Sequence, residues 1–163
     1  MQRRRDIRLH NDYEEMIRLG ARADWFDFET EGTPPTSYLL TFRCRGLMRV
    51  EDRIVISDFH QCRMLLGAHY PSHPPDVTWL TPIFHPNIRG EAVCHSSHWA
   101  AGWSLADFVA ELADMIRLAK HNVNSPLDRM AADWVRRNLE KLPLDPRSLR
   151  GPSVTIRVSP KVM

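Results

Sequence analysis

Apolar residues change their spacing twice along this 163-residue chain, from helical to strand-like and back to helical. The two patterns never alternate. Strands alternating with helices would demand crossover connections and a parallel sheet, whereas segregated blocks with short connections favour an antiparallel meander covered by helices. In the first block, Leu9, Tyr13, Met16, Ile17 and Gly20 share one face of a 3.6-residue repeat, which predicts a helix over residues 3–22. Its opposite face carries Arg4, Arg5, Arg8, Glu14, Glu15, Arg18 and Arg22. Strand character follows over 25–30, 38–50, 62–69 and 77–80. The Gly32-Thr33-Pro34-Pro35 cluster and the stretch 51–58 punctuate these runs.

In the last block, Ser104 is a good helix N-cap with Asp107 three positions on, and Leu105, Phe108, Val109, Leu112, Met115, Ile116 and Ala119 form an apolar stripe. After a break at 121–124, Ser125 is expected to cap a further helix with Pro126 in its first position. Met130, Ala131, Trp134, Val135 and Leu139 are its expected buried stripe. Beyond Pro143 the pattern weakens at Pro146, Gly151 and Pro152, leaving residues 153–158 as a short edge-strand candidate. The expected fold class is α+β: an N-terminal helix, a four-stranded antiparallel meander, an irregular middle and two C-terminal helices. A main domain spans 1–142 and an extension spans 143–163.

Composition narrows the function classes. With 43% hydrophobic and 26% charged residues the chain is a globular domain, neither disordered nor membrane-spanning. A net charge of +2 gives no argument for nucleic acid as a partner. Of the 22 basic residues only Lys120, Lys141 and Lys161 are lysines, an arginine bias of the kind a GC-rich genome produces. Three cysteines, Cys44, Cys62 and Cys94, make a poor disulfide framework and suit a reducing cytoplasm. Arg3-Arg4-Arg5 is followed by no apolar segment, so it does not read as a secretory signal.

Chemistry concentrates where regular structure is interrupted, between residues 70 and 104. Prolines and aromatics interleave there into a stiff framework. Within it Cys94 is the strong nucleophile, and Asn87 is an amide donor seven residues upstream.

This segment resembles the core of the ubiquitin-conjugating enzyme family. Tyr70-Pro71-x-x-Pro74-Pro75 is similar to its YPxxPP segment, and Val77-x-Trp79-x-Thr81-x-Ile83 leads into His85-Pro86-Asn87-Ile88, similar to its His-Pro-Asn motif. Gly90 and Cys94 sit at its loop glycine and active cysteine, and Trp103-Ser104 resembles the opening of its next helix. Ser125-Pro126-Leu127-Asp128 with Ala131, Ala132 and Trp134 resembles the start of a later one. The resemblance covers roughly residues 3–142 and implies a transferase. Cys94 would accept the C-terminus of a ubiquitin-like protein as a thioester from an activating enzyme and pass it to an amine on a target protein. It further implies that Asn87 stabilises the developing oxyanion or holds the loop that does. His85 would be structural, Ser125 and Asp128 would shape the surroundings of the incoming amine, and Arg4, Arg5 and Arg8 would meet the activating enzyme. No cofactor is implied, since the activating enzyme spends the ATP, and no metal, nucleic acid or membrane enters the scheme.

The chain also departs from the family pattern. The spacing from Asn87 to Cys94 is one residue shorter than usual, and His95 replaces the leucine that commonly follows the cysteine. Ser72 and Leu105-Ala106 stand where the family's ligase-docking residues usually lie. With the arginine bias, this divergence resembles bacterial members encoded in ubiquitin-like antiphage operons. Other chemistries match parts of the pattern. Cys94-x-x-x-His98 could belong to a structural zinc site, but a second tight ligand pair is missing. A cysteine hydrolase would place its thiol at a helix N-terminus, and no helix immediately follows Cys94. A non-catalytic domain that binds a ubiquitin-like protein typically lacks the cysteine, which this chain keeps. Cys44 and Cys62, inside strand-like runs, read as small buried hydrophobes.

Overall fold

A computed structural model describes residues 2–95 and 99–150. Helix α1 (Gln2–Arg22) leads into β1 (Phe26–Gly32), β2 (Pro35–Phe42), β3 (Gly46–Val50), β4 (Arg53–Ser57), β5 (His60–Leu65) and β6 (Asp76–Trp79). A small hairpin of β7 (Ile88–Arg89) and β8 (Ala92–Val93) precedes α2 (Leu105–Ile116), α3 (Arg129–Arg137) and a 3-10 turn at Leu139–Lys141. The main sheet has the order β1-β2-β5-β6, every pair antiparallel, so the α+β class and the four-stranded meander hold.

Alternation makes one face of this sheet apolar. Phe26 pairs with Phe42, Leu40 with Cys62, Tyr38 with Met64 and Cys62 with Trp79, and all seven side chains are buried. Helices α1 and α2 complete the core over that face. Leu9, Met16 and Leu19 come from α1; Leu105, Phe108, Val109, Leu112 and Ile116 come from α2. Asp27 and Glu29, pointing the other way from β1, stay exposed.

Several local expectations are corrected. The buried stripe of α1 is Leu9, Asp12, Met16 and Leu19, while Ile17 is 48% exposed. A carboxylate that hydrogen-bonds inside the fold turns the helix away from the face that hydrophobicity alone selects. The run 38–50 is two strands, split at residues 43–45, and the stretch 51–58 contains β4 rather than only a break. β3 and β4 form a separate hairpin that turns through Glu51, whose φ is 55°.

Ser104 caps α2 as expected, its hydroxyl accepting from the Asp107 amide at 3.0 Å. Ser125 does not cap α3. Asp128 does, accepting from the Ala131 amide at 3.1 Å, so Pro126 lies in the preceding loop. Starting the helix later moves its buried face onto Ala131, Ala132 and Val135 and leaves Met130 (58%) and Leu139 (59%) exposed.

Two further features position the site. A second small core joins Leu47, Phe84, Leu118, Ala131 and Val135, tying α3 and the end of α2 to the chain just before residue 85. Residues 144–150 also pack against the domain. The buried Asp145 accepts a bidentate pair from Arg147 (3.0 and 2.8 Å) and a bond from the Arg45 amide, and Arg150 pairs with Asp114. The candidate strand at 153–158 lies outside the described residues, as does His98. No helix among the described residues is long and apolar enough to cross a membrane.

Candidate active site

The β7–β8 hairpin positions Cys94. Ile88 pairs with Val93 and Arg89 with Ala92, and the Cys94 amide donates to the Asn87 carbonyl at 2.8 Å. The ladder therefore continues one step and sets Cys94 directly opposite Asn87. Closing so short a hairpin requires a two-residue turn, and Gly90 supplies it at φ 58°, a conformation that L side chains rarely adopt. Cys94 is exposed, while Cys44 and Cys62 are buried free thiols. Burial pushes both of these up to about 12, which keeps them protonated and unreactive at neutral pH.

Asn87 is buried, and both ends of its side-chain amide are bonded to one residue. Its Nδ2 donates to the Asn122 carbonyl at 2.9 Å and its Oδ1 accepts from the Asn122 amide at 2.7 Å. The Pro86 carbonyl accepts from both the Leu127 and Asp128 amides, at 2.8 and 3.1 Å. Two adjacent residues, Pro86 and Asn87, therefore clamp the whole segment between α2 and α3 beside the cysteine hairpin.

His85 orders the clamp from beneath. Its Nδ1 accepts from the Asn87 amide at 2.9 Å, which places the ring proton on Nε2. Nε2 is buried with no hydrogen-bond partner among the described residues. Burial drives the His85 pKa down to about 3, so the ring stays neutral at physiological pH and acts as a fixed acceptor.

The remaining sequence candidates fall in different places. Ser125 is exposed on the clamped segment, and Asp128 follows it with one carboxylate oxygen engaged as the α3 cap. Arg4 is exposed on α1. Arg5 donates to the Leu66 and Gly67 carbonyls. Arg8 binds Asp12, the Tyr70 hydroxyl and the carbonyls of Ala101 and Trp103, so its guanidinium is turned inward. His95 packs edge-on to Phe108, with ring centroids 5.1 Å apart. Among the described residues no group of three His, Cys, Asp or Glu side chains is placed to hold a metal ion.

Two positioning residues were not visible in the sequence patterns. Asn122 lies in what reads as a helix break, and nothing in its spacing marks it as the partner of Asn87. Asp12 is the second. Its Oδ2 accepts from the Tyr70 hydroxyl at 2.6 Å and from Arg8 Nε at 2.8 Å, and its Oδ1 faces the Leu105 amide at 3.4 Å. It ties α1 to the start of α2 and to the Tyr70 segment, on which Trp99 stacks at 5.7 Å. The available signal was an acidic residue three after Leu9 and four before Met16, on the apolar face.

Comparison with known proteins points to one family. The profile of the ubiquitin-conjugating enzyme family matches residues 47–143. The Schizosaccharomyces pombe protein named ubiquitin-conjugating enzyme E2 16 is 41% identical over 73 residues, covering 41% of this chain and 44% of that one. Human ubiquitin-conjugating enzyme E2 K is 29% identical over 86 residues, covering 50% of this chain and 42% of that one. The chain thus spans less than half the length of these curated relatives. Among solved structures, Saccharomyces cerevisiae Ubc12 superposes with a TM-score of 0.64 at 20% identity, covering 85% of this chain and 73% of that chain. A Toxoplasma gondii ubiquitin-conjugating enzyme E2 domain superposes at 0.56 with 18% identity, covering 85% of this chain and 90% of that one. At these identities the structural matches speak for the fold.

Proposed function

Because the chain belongs to the ubiquitin-conjugating enzyme family, we propose that it carries the C-terminus of a ubiquitin-like protein on Cys94 as a thioester and passes it to an amine of a target protein. The observation that carries this reading is the exposed Cys94 held opposite the buried Asn87 on a two-residue turn. In the first step the Cys94 thiolate attacks the carbonyl of the thioester on the activating enzyme, and that enzyme's thiolate leaves. In the second the target amine attacks the Cys94 thioester, loses a proton, and the Cys94 thiolate leaves.

Both steps pass through a tetrahedral oxyanion, which needs donors fixed in advance. Asn87 serves here chiefly as the residue that fixes them, because both ends of its amide are bonded to Asn122. In this reading Ser125 and Asp128, carried on the clamped segment, would shape the surroundings of the incoming amine. Arg4, exposed on α1, is the basic residue best presented to the activating enzyme; Arg5 lies beside it while bonding the Leu66 and Gly67 carbonyls, and Arg8, its guanidinium turned inward, would support that face from behind. The arginine bias and the altered ligase-docking positions support a bacterial ubiquitin-like conjugation operon active in antiphage defence, acting in the cytoplasm.

The test is recovery of tagged wild type and Cys94→Ala from the native host, with and without thiol reductant. A protein-sized adduct on the wild type, lost to reductant and missing from the variant, is expected. Its absence from the wild type overturns the reading.

A further inference from the structure

A thioester on Cys94 would be open to the amines of its own chain as well as to those of a target. All but three of the 22 basic side chains are arginines, whose guanidinium stays charged and is no acceptor. The three side-chain amines are Lys120, Lys141 and Lys161, and Lys161 lies outside the described residues. Lys141 closes the 3-10 turn beyond α3, a helix that carries the chain about 13 Å from the Pro86 clamp at its start. Lys120 is placed differently. It stands two residues before Asn122, whose backbone is bonded to the Asn87 side chain opposite Cys94.

This lysine is tied down. The Ala119 and Lys120 amides both donate to the Asp114 carbonyl, at 2.9 and 3.0 Å, which fixes the Lys120 backbone at the end of α2. From there the side chain runs back along the helix, and Nζ donates to Oε1 of Glu111 at 2.5 Å. The Lys120 side chain is half-exposed, whereas that of Glu111 is only 4% exposed and has Lys120 as its one polar partner among the described residues. A hydrophobic residue of similar volume would serve the core as well as a buried carboxylate with a single partner, so stability gives no reason for Glu at this position. Glu111 is also close to the cysteine. One turn earlier on the same helix face, Phe108 packs on His95, the residue after Cys94, with ring centroids 5.1 Å apart. The buried carboxylate therefore turns the amine toward the interior, beside a segment whose thiol faces solvent.

We propose that Glu111 is a positioning residue that withholds the Lys120 amine from the Cys94 thioester, so that the chain does not transfer its cargo to itself. The step it suppresses is attack of the free Lys120 amine on the thioester carbonyl. A C–N bond forms, the nitrogen loses a proton, the C–S bond breaks and the Cys94 thiolate leaves, which ends the cargo as an isopeptide on its own carrier. A tethered amine needs only reach and a free lone pair, because its effective concentration far exceeds that of a target in solution. An ammonium bonded to a buried carboxylate has neither. The inference rests on the thioester reading of Cys94 and adds how that thioester is kept for its proper acceptor.

The experiment compares tagged wild type, Glu111→Leu and the double variant Glu111→Leu/Lys120→Arg recovered from the native host. Each is read by intact mass with and without reductant, and by peptide mapping of any adduct that survives. In Glu111→Leu the reductant-resistant fraction should rise about tenfold over wild type, the factor that losing one charge-assisted hydrogen bond gives, and it should map to Lys120. The double variant should return to the wild-type level while keeping the labile adduct. Glu111→Gln, closer in shape, should move the same way to a smaller extent and covers a leucine variant that fails to fold. A labile adduct on Glu111→Leu with no rise in the resistant one, or a resistant adduct on another residue, overturns the withholding role and leaves the transferase reading standing. A wild type that carries no reductant-labile adduct removes both.

Discussion

The Asn87 side-chain amide and the Asn122 backbone form a closed pair of hydrogen bonds, 2.9 Å in one direction and 2.7 Å in the other. Each end of that amide is engaged once, which fixes the direction of the second Nδ2 hydrogen. Its contribution is to hold the segment after α2 against the hairpin that presents Cys94. Asn87→Ala leaves a backbone N–H and C=O without partners, and should lower stability by about 1–2 kcal/mol in a urea melt while slowing transfer. A residue acting only on the oxyanion would slow transfer with no change in the melt.

Asp12 makes a stability prediction of a different size. It is buried and accepts from Tyr70 and Arg8 at once, in the contact between α1, the Tyr70 segment and α2. Asp12→Ala leaves the Arg8 charge without its carboxylate and the Tyr70 O–H without its acceptor, and should cost about 3 kcal/mol by chemical denaturation. A loss under 1 kcal/mol would mean that solvent readily replaces the carboxylate.

His85 sets a pH dependence. Its native pKa, held down to about 3 by burial, lies below its unfolded value near 6.5. Between those values the unfolded chain binds a proton that the native chain refuses, so stability falls as pH drops below 6.5. The loss should reach roughly 2 kcal/mol at pH 5. His60, also lowered by burial, adds in the same direction. Urea melts at pH 7 and pH 5 check this: His85→Asn should flatten the difference, and an unchanged difference would assign it to other groups.

Much of this was readable in advance because period and punctuation are local. The α2 stripe and its Ser104 cap, the alternation of Tyr38, Leu40 and Phe42, and the order of motifs around Cys94 depend on neighbours in the chain. What escaped depends on residues far apart. The partner of Asn87 is 35 positions away, and that of Asp12 is 58. The cap of α3 was misplaced because Ser125-Pro126 and Asp128 both carry start signals. The Pro86 carbonyl, by binding the Leu127 and Asp128 amides, decides in favour of the later one.

Under the proposed function, a substitution at Arg4 should separate the two half-reactions. It is exposed on α1, whereas Arg8 is drawn inward by Asp12 and Tyr70. Arg4→Glu should slow charging by the activating enzyme about threefold or more at low salt, through a slower encounter, and leave discharge of a preformed thioester unchanged. Equal slowing of both steps would remove Arg4 from the activating-enzyme contact.

The most direct test of the account is the intact mass of Cys94→Lys recovered from the native host beside Cys94→Ser and wild type. An amine at position 94 should trap the carried protein as an isopeptide, and a serine should trap it as an ester. The account predicts a protein-sized adduct on both variants that survives reductant, and on the wild type the same mass that does not. Bare chain on all three, with zinc bound by the wild type and lost on replacing Cys94, would contradict it.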